Sequence, residues 1–232
     1  MKLPYLLSSV FELFFPNPCL GCGKPLRSNT EVLCLICDSK IIVTPFHLHP
    51  TNYITEKFIG RAKIHFGTAM TLFAKHGIMQ HLLHQLKYKN KKEIGIYLGE
   101  KYGKILFIQN EYSKVDCIVP VPLHDKKKEK RGYNQSEYFA IGLSNMLKKP
   151  VLSSGLVRLN LKDSQTKKRR LDRWKNVESD FDCLNETELE NKHVLLVDDV
   201  LTTGATLDSC ITILNQIKGV KVSIATIAVV MN

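Results

Sequence analysis

Residues Val194–Thr206 read VLLVDDVLTTGAT. Four consecutive apolar residues suit a strand buried on both faces of a parallel sheet. Two adjacent aspartates, Asp198 and Asp199, stand at its carboxyl end, where parallel sheets bind ligands. Neighbouring carboxylates repel each other unless a ligand or cation sits between or above them. Paired acceptors suit a vicinal diol. Thr202, Thr203, Gly204, Ala205 and Thr206 then form a turn into the next helix. Gly204 lets the backbone close, the N–H groups of Thr203 to Thr206 point at one spot, and the helix N-terminus adds partial positive charge. The hydroxyls of Thr202, Thr203 and Thr206 are further donors. A diol acceptor beside a phosphate cradle describes a ribose 5-phosphate site. A response-regulator receiver would want an acidic pair near the N-terminus and a lone lysine after a later strand. A Walker B strand would want an upstream GxxxxGK[ST], which the sequence lacks.

The surrounding pattern alternates strands and helices. Val115–Val121 and Val220–Val230 read as buried strands, Arg61–Phe73 as one or two strands, and Val151–Arg158 as another. Met79–Lys87, Ile94–Phe107, Ser136–Leu147 and Leu207–Lys218 have helical spacing. Between Val121 and Ser136, HDKKKEKRGYNQ reads as a loop. This alternation predicts an α/β fold with a parallel sheet covered on both faces. The 232 residues, 44% of them hydrophobic, are enough for one such domain and a small module.

The formal net charge is +11, and the excess is clustered. Lys87, Lys89, Lys91 and Lys92 form one group, Lys126 to Arg131 a second, and Lys162 to Lys175 a third. Such clusters imply an anionic partner, either a phosphorylated small molecule or nucleic acid. No apolar stretch is long enough to span a membrane. Met1–Phe15 has one lysine, an internal Glu12 and no small-residue cleavage site, so it reads as an amphipathic helix. The expected location is cytoplasmic, without membrane insertion.

Four of the seven cysteines form Cys19-Leu-Gly-Cys22 and Cys34-Leu-Ile-Cys37, eleven residues apart. Two such knuckles complete a tetrahedral shell of four thiolates and predict structural zinc. A redox pair would want a thioredoxin-like βαβ context, which is missing. An iron–sulfur cluster takes the same four ligands. Cys117, Cys183 and Cys210 are isolated and read as core residues. The expected organisation is therefore 1–43, an amphipathic helix and zinc ribbon; 44–60, a polar connector; and 61–232, the α/β domain.

VLLVDDVLTTGAT resembles the ribose 5-phosphate signature of type I phosphoribosyltransferases. The chain as a whole resembles the ComF family, phosphoribosyltransferase-like proteins associated with DNA uptake in natural transformation. That wider resemblance rests on FFPNPCLGCGKPL (14–26), LCLIC (33–37), LLHQLKYKNKKEIGIYLG (82–99), PVPLHDKKKEKRGYNQSE (120–137) and DSQTKKRRLDRWKNV (163–177). It implies a type I fold that binds 5-phosphoribosyl diphosphate (PRPP) together with Mg²⁺. It assigns Asp198 and Asp199 to the ribose hydroxyls and Thr202–Thr206 to the 5-phosphate. Pyrophosphate would meet the 123–135 segment, through Arg131, Gly132, Asn134 and Gln135. Asp198, Asp199 and Arg131 are thereby the candidate catalytic residues. A mobile loop over the site would span Lys162–Asn176, with Ser164, Gln165, Arg169, Arg170, Arg173 and Asn176 as candidates. Lys162 and Asp163 stand where the family commonly has a threonine before the Ser-Gln pair. An alternative is a non-catalytic adaptor for single-stranded DNA that retains the PRPP site, with Tyr88, Tyr133 and Trp174 interleaved among cations. Other competence proteins would be its partners.

Overall fold

A computed structural model describes residues 17–26, 32–159 and 180–231. The expected N-terminal helix and the expected mobile loop, with Ser164, Gln165, Arg169, Arg170, Arg173, Trp174 and Asn176, lie outside the described residues.

The central sheet is parallel and four-stranded, in the order β1-β6-β5-β2. Its strands are β1 (Gly67–Leu72), β2 (Cys117–Pro120), β5 (His193–Leu201) and β6 (Lys221–Val229). Strand alternation sends successive side chains to opposite faces. Leu195, Val197, Ala225 and Ile227 pack on one side with residues of α3 (Ile78–Tyr88), α4 (Glu93–Phe107) and α7 (Gln135–Leu147). Val194, Leu196, Val222 and Ile224 pack on the other with α2 (Tyr53–Glu56) and α9 (Ala205–Gln216). Covering both faces is what makes the strand sequences continuously apolar. Helices α4 and α7 approach closely because Gly99 has no side chain: a Cβ there would collide with the Phe139 carbonyl.

Several expectations need correction. The strand carrying the aspartate pair does not end at Val197. It continues through them to Leu201, with Val200 and Leu201 registered against Ala228 and Val229. The 123–135 stretch is not all loop, since Asp125–Arg131 forms a helix, α6. Its charged composition leaves no apolar periodicity to read. Val151–Arg158 is not one strand: Val151 makes an isolated bridge to Ile118, while Val157–Arg158 (β3) pairs antiparallel with Phe181–Asp182 (β4). The 44–60 stretch, expected as a polar connector, buries Ile54 and Phe58 in the core. Asn52 makes this possible by capping α2, accepting from the Ile54 and Thr55 N–H groups while Thr55 caps back.

The cysteine module packs on the same body. Cys19, Leu33, Cys37 and Ile41 join the core cluster that contains Met79, Leu82 and Leu83. Lys101 on α4 donates to both Asp38 oxygens at 2.8 and 2.7 Å, and Gln85 on α3 donates to the Leu20 carbonyl. Helix α3 therefore touches the cysteine module along its length before reaching the carboxyl end of the sheet.

Candidate functional site

The candidate site lies at the carboxyl end of β5, where Leu201 hands over to the turn that starts α9. Gly204 sits at φ +84°, a left-handed conformation that favours glycine, and is the N-cap residue of α9. The first turn of a helix leaves backbone N–H groups without intrahelical partners. One of them, on Ala205, points at Thr203 Oγ1 at 3.4 Å. Thr202, Thr203, Ala205 and Thr206 are exposed, whereas Leu201, Gly204 and Leu207 are buried and fix the turn from below. Asp198 and residues 200–207 line a pocket of about 40 Å³. That suits one small anionic group.

The structure divides the acidic pair. Asp198 lines the pocket, and its Oδ1 accepts from Ser136 Oγ at 2.9 Å and from the Asp199 N–H at 2.8 Å. Asp199 pairs with Lys87 Nζ at 2.9 Å instead. Burial, and then repulsion by Asp199, push the Asp198 carboxyl up to about 7, against the lowering effects of the Asp199 N–H, Ser136 and Lys87. The repulsion anticipated from the sequence thus acts on Asp198.

Residues from distant parts of the chain hold the turn. Arg61 donates to the Thr203 carbonyl at 3.1 Å and pairs with Asp208 in the first turn of α9; Lys57 reaches the Thr202 carbonyl at 3.5 Å. The other oxygen of Asp208, Oδ1, is buried with no hydrogen-bond partner among the described residues. Sequence reasoning missed Lys57, Arg61, Lys87 and Ser136 as site residues. Lys87 carried a signal as part of a cationic cluster. Arg61 carried none, because its contact spans 142 positions.

The 123–135 segment carries the four residues expected to meet pyrophosphate. Arg131 ends α6 with its guanidinium over the Tyr88 ring at 5.3 Å, and it donates to Gln135 Oε1 at 2.7 Å. Gly132 follows at φ +76°. Asn134 and Gln135 are buried, and their polar atoms are committed within the fold. Asn134 donates to the Val121 carbonyl and caps α7 through the Ser136 N–H, while Gln135 donates to the Tyr133 carbonyl.

The four cysteines of the two knuckles meet at one point, with all sulfurs within 4.8 Å of one another. The Cys22 and Cys34 sulfurs are 3.8 Å apart, too far for a disulfide. Burial alone would raise the Cys19 thiol. The N–H groups of Cys34, Cys22 and Gly21 outweigh it and bring the thiol to about 6. Burial and the neighbouring thiols push Cys37 up. Four thiols at such spacing cannot all ionise unless a cation compensates them, so the donor set fits a tetrahedral metal.

Comparison with known proteins agrees with this architecture. The family model described as phosphoribosyl transferase domain matches residues 107–231, which span β2 through β6 and the whole acidic-pair turn. Over most of its length the chain is similar to Competence protein F of Haemophilus influenzae (25% identity, 88% of this chain and 93% of the relative). It is likewise similar to Competence protein ComFC of Bacillus subtilis (27%, 82% and 74%). Similarity to the DNA utilization protein YhgH of Escherichia coli K12 is 29% but covers only 54% of this chain and 56% of that protein. Among solved structures, glutamine PRPP amidotransferase from B. subtilis matches at 20% identity and a TM-score of 0.40, over 61% of this chain and 30% of that one. The chain belongs to the phosphoribosyl transferase domain family and, within it, to the ComF family.

Proposed function

We propose that this chain is a phosphoribosyltransferase-like competence protein that binds PRPP with Mg²⁺ and acts in DNA uptake during natural transformation. The observation that carries the PRPP reading is the Thr202–Thr206 turn on the N-terminus of α9, opening on a pocket walled by Asp198. The competence role rests on the named relatives. The 5-phosphate would sit against the N–H groups of 203–206, where the helix terminus favours an anion. The ribose hydroxyls would donate to Asp198 first, with Asp199 adjoining it. Arg131 and the Gly132 backbone would face the pyrophosphate. In this reading Asn134 and Gln135 shape that turn instead of donating to the ligand. Mg²⁺, when bound with PRPP, would supply positive charge that offsets the negative charge of the diphosphate. If the protein transfers the phosphoribosyl group, the chain's main contribution is to stabilise negative charge on the leaving pyrophosphate through Arg131. Cys19, Cys22, Cys34 and Cys37 would hold Zn²⁺ with no position left open, which makes that metal structural. Among the described residues no helix is long and apolar enough to cross a membrane, in keeping with a proposed cytoplasmic site of action.

Calorimetry with PRPP and Mg²⁺ tests this reading. Wild type should bind, and Asp198→Ala/Asp199→Ala should lose at least ~100-fold in affinity, the scale of two lost charge-assisted hydrogen bonds. Equal binding by both proteins would refute it.

A second role, as a single-stranded DNA adaptor, is favoured by one surface. Tyr88 is 56% exposed, with the Arg131 guanidinium 5.3 Å and the His84 ring 5.0 Å from its centroid, in a stretch of sequence that also carries Lys87, Lys89, Lys91 and Lys92. That is a stacking platform among cations. Tyr133 drops out of it, because it is buried at 4% exposure and donates to the Leu86 carbonyl. Affinity for an oligothymidine should fall as salt rises, with a log–log slope of roughly −2 to −4. A slope near zero would remove phosphate contacts from the picture.

A further inference from the structure

We infer that Lys87 is a positioning residue of the diol site, setting the charge state of the acidic pair from a helix outside the matched transferase region; this rests on the PRPP reading above. Three observations carry it. Lys87 Nζ lies 2.9 Å from Asp199 Oδ2, and no other salt bridge to either aspartate occurs among the described residues. Both partners are largely shielded, with side chains 23% and 15% exposed, so water screens the contact only weakly. Lys87 also stands in the last turn of α3, whose apolar residues Met79, Leu82, Leu83 and Leu86 are all buried. A rigid helix therefore delivers the ammonium.

The groups facing the pair come from each element packed around it. Lys87 comes from α3 and the neutral Ser136 hydroxyl from α7. The Cys210 thiol comes from α9, pushed up by burial and by Asp198, so it too is neutral. Among the described residues, Lys87 supplies the only salt bridge to the pair. A ribose diol needs an ionised acceptor on Asp198. Without Lys87, the charge on Asp199 would act on Asp198 uncompensated, and Asp198 would hold its proton to higher pH. The lysine thus lowers the pH at which the acceptor ionises before ligand arrives. It leaves the phosphate cradle, built from residues 202–206, to act by itself.

The test compares wild type, Lys87→Met and Lys87→Arg in PRPP–Mg²⁺ calorimetry from pH 5.5 to 9. Titration of the ligand's own phosphates is common to all three and cancels in the comparison. Lys87→Met should move the midpoint of the rise in affinity upward by about one pH unit, and weaken binding at pH 7 roughly 5-fold. Lys87→Arg should restore the wild-type midpoint. Carbon-13 NMR of the ligand-free aspartate carboxyls should show Asp198 titrating higher in Lys87→Met than in wild type. If wild type binds and the midpoint is unmoved in Lys87→Met, the inference about Lys87 is overturned while the PRPP reading stands. If wild type does not bind, the PRPP reading falls. An unshifted Asp198 in the NMR titration then overturns the charge-setting role as well.

Discussion

The two ends of β5 place a titratable side chain under the same pressure and resolve it in opposite ways. At its start, burial and then His65 push His193 down to about 4, so its ring is neutral at physiological pH. The ring nitrogen Nε2 meets Ser223 Oγ at 2.8 Å, and the backbone N–H donates to Asp116 at 2.7 Å. Nothing there is left in conflict. At its end, burial and Asp199 push Asp198 up to about 7, leaving a carboxyl half-ionised beside an open pocket. A satisfied polar group at one end contributes stability. An unresolved one at the other costs stability and is the natural place for a ligand to act.

Removing the conflict should remove the function. Asp198→Asn keeps the shape of the side chain but loses the charge, and it should weaken PRPP binding roughly 100-fold by calorimetry. Unchanged affinity would show that the unresolved end is not the binding end. Breaking the resolved end should do the reverse. His193→Ala should lose about 2–3 kcal/mol of stability in urea unfolding, from a buried cavity and an orphaned Ser223 hydroxyl. PRPP affinity of the folded fraction should be unchanged.

The same Asp198→Asn protein should be more stable than wild type by ~1 kcal/mol at pH 8, since the fold no longer carries a carboxylate it disfavours. A loss of stability there would mean that Asp198 is better compensated than its surroundings indicate. The two ends also oppose each other in pH dependence. Between about pH 4 and 6.5 the unfolded state binds protons at His193 that the fold refuses, so this group makes stability rise with pH. From the usual carboxylate range up to about 7, the fold holds a proton on Asp198 that the unfolded chain releases, so this group makes stability fall with pH. Unfolding free energies measured across that window should therefore be flatter in wild type than in either single variant. His193→Gln should decline with rising pH, and Asp198→Asn should climb.

The contrast also explains what could be read from the sequence. Val194–Val197 and Val222–Val229 were legible because a strand covered on both faces must be apolar throughout, and the turn at 202–206 because its glycine and threonines act within a few residues. Helix α6 was not legible: DKKKEKR buries no face, so no periodicity marks it. The burial of Asn134 and Gln135 was hidden for a related reason, since amides that cap a helix and amides that bind a ligand are the same residues in sequence. Ile54 and Phe58 reach the core only because the Asn52 cap turns a polar stretch inward. Lys87 and Arg61 meet the site across more than a hundred positions of chain, and only the packed sheet brings them there.

The most direct test is a crystal structure with PRPP and Mg²⁺ bound, collected also at the zinc edge. The account predicts the 5-phosphate against the N–H groups of Thr203–Thr206, the ribose hydroxyls on Asp198, and an anomalous peak among Cys19, Cys22, Cys34 and Cys37. Ligand density at the His193 end of the sheet, with the 202–206 turn empty, would contradict it.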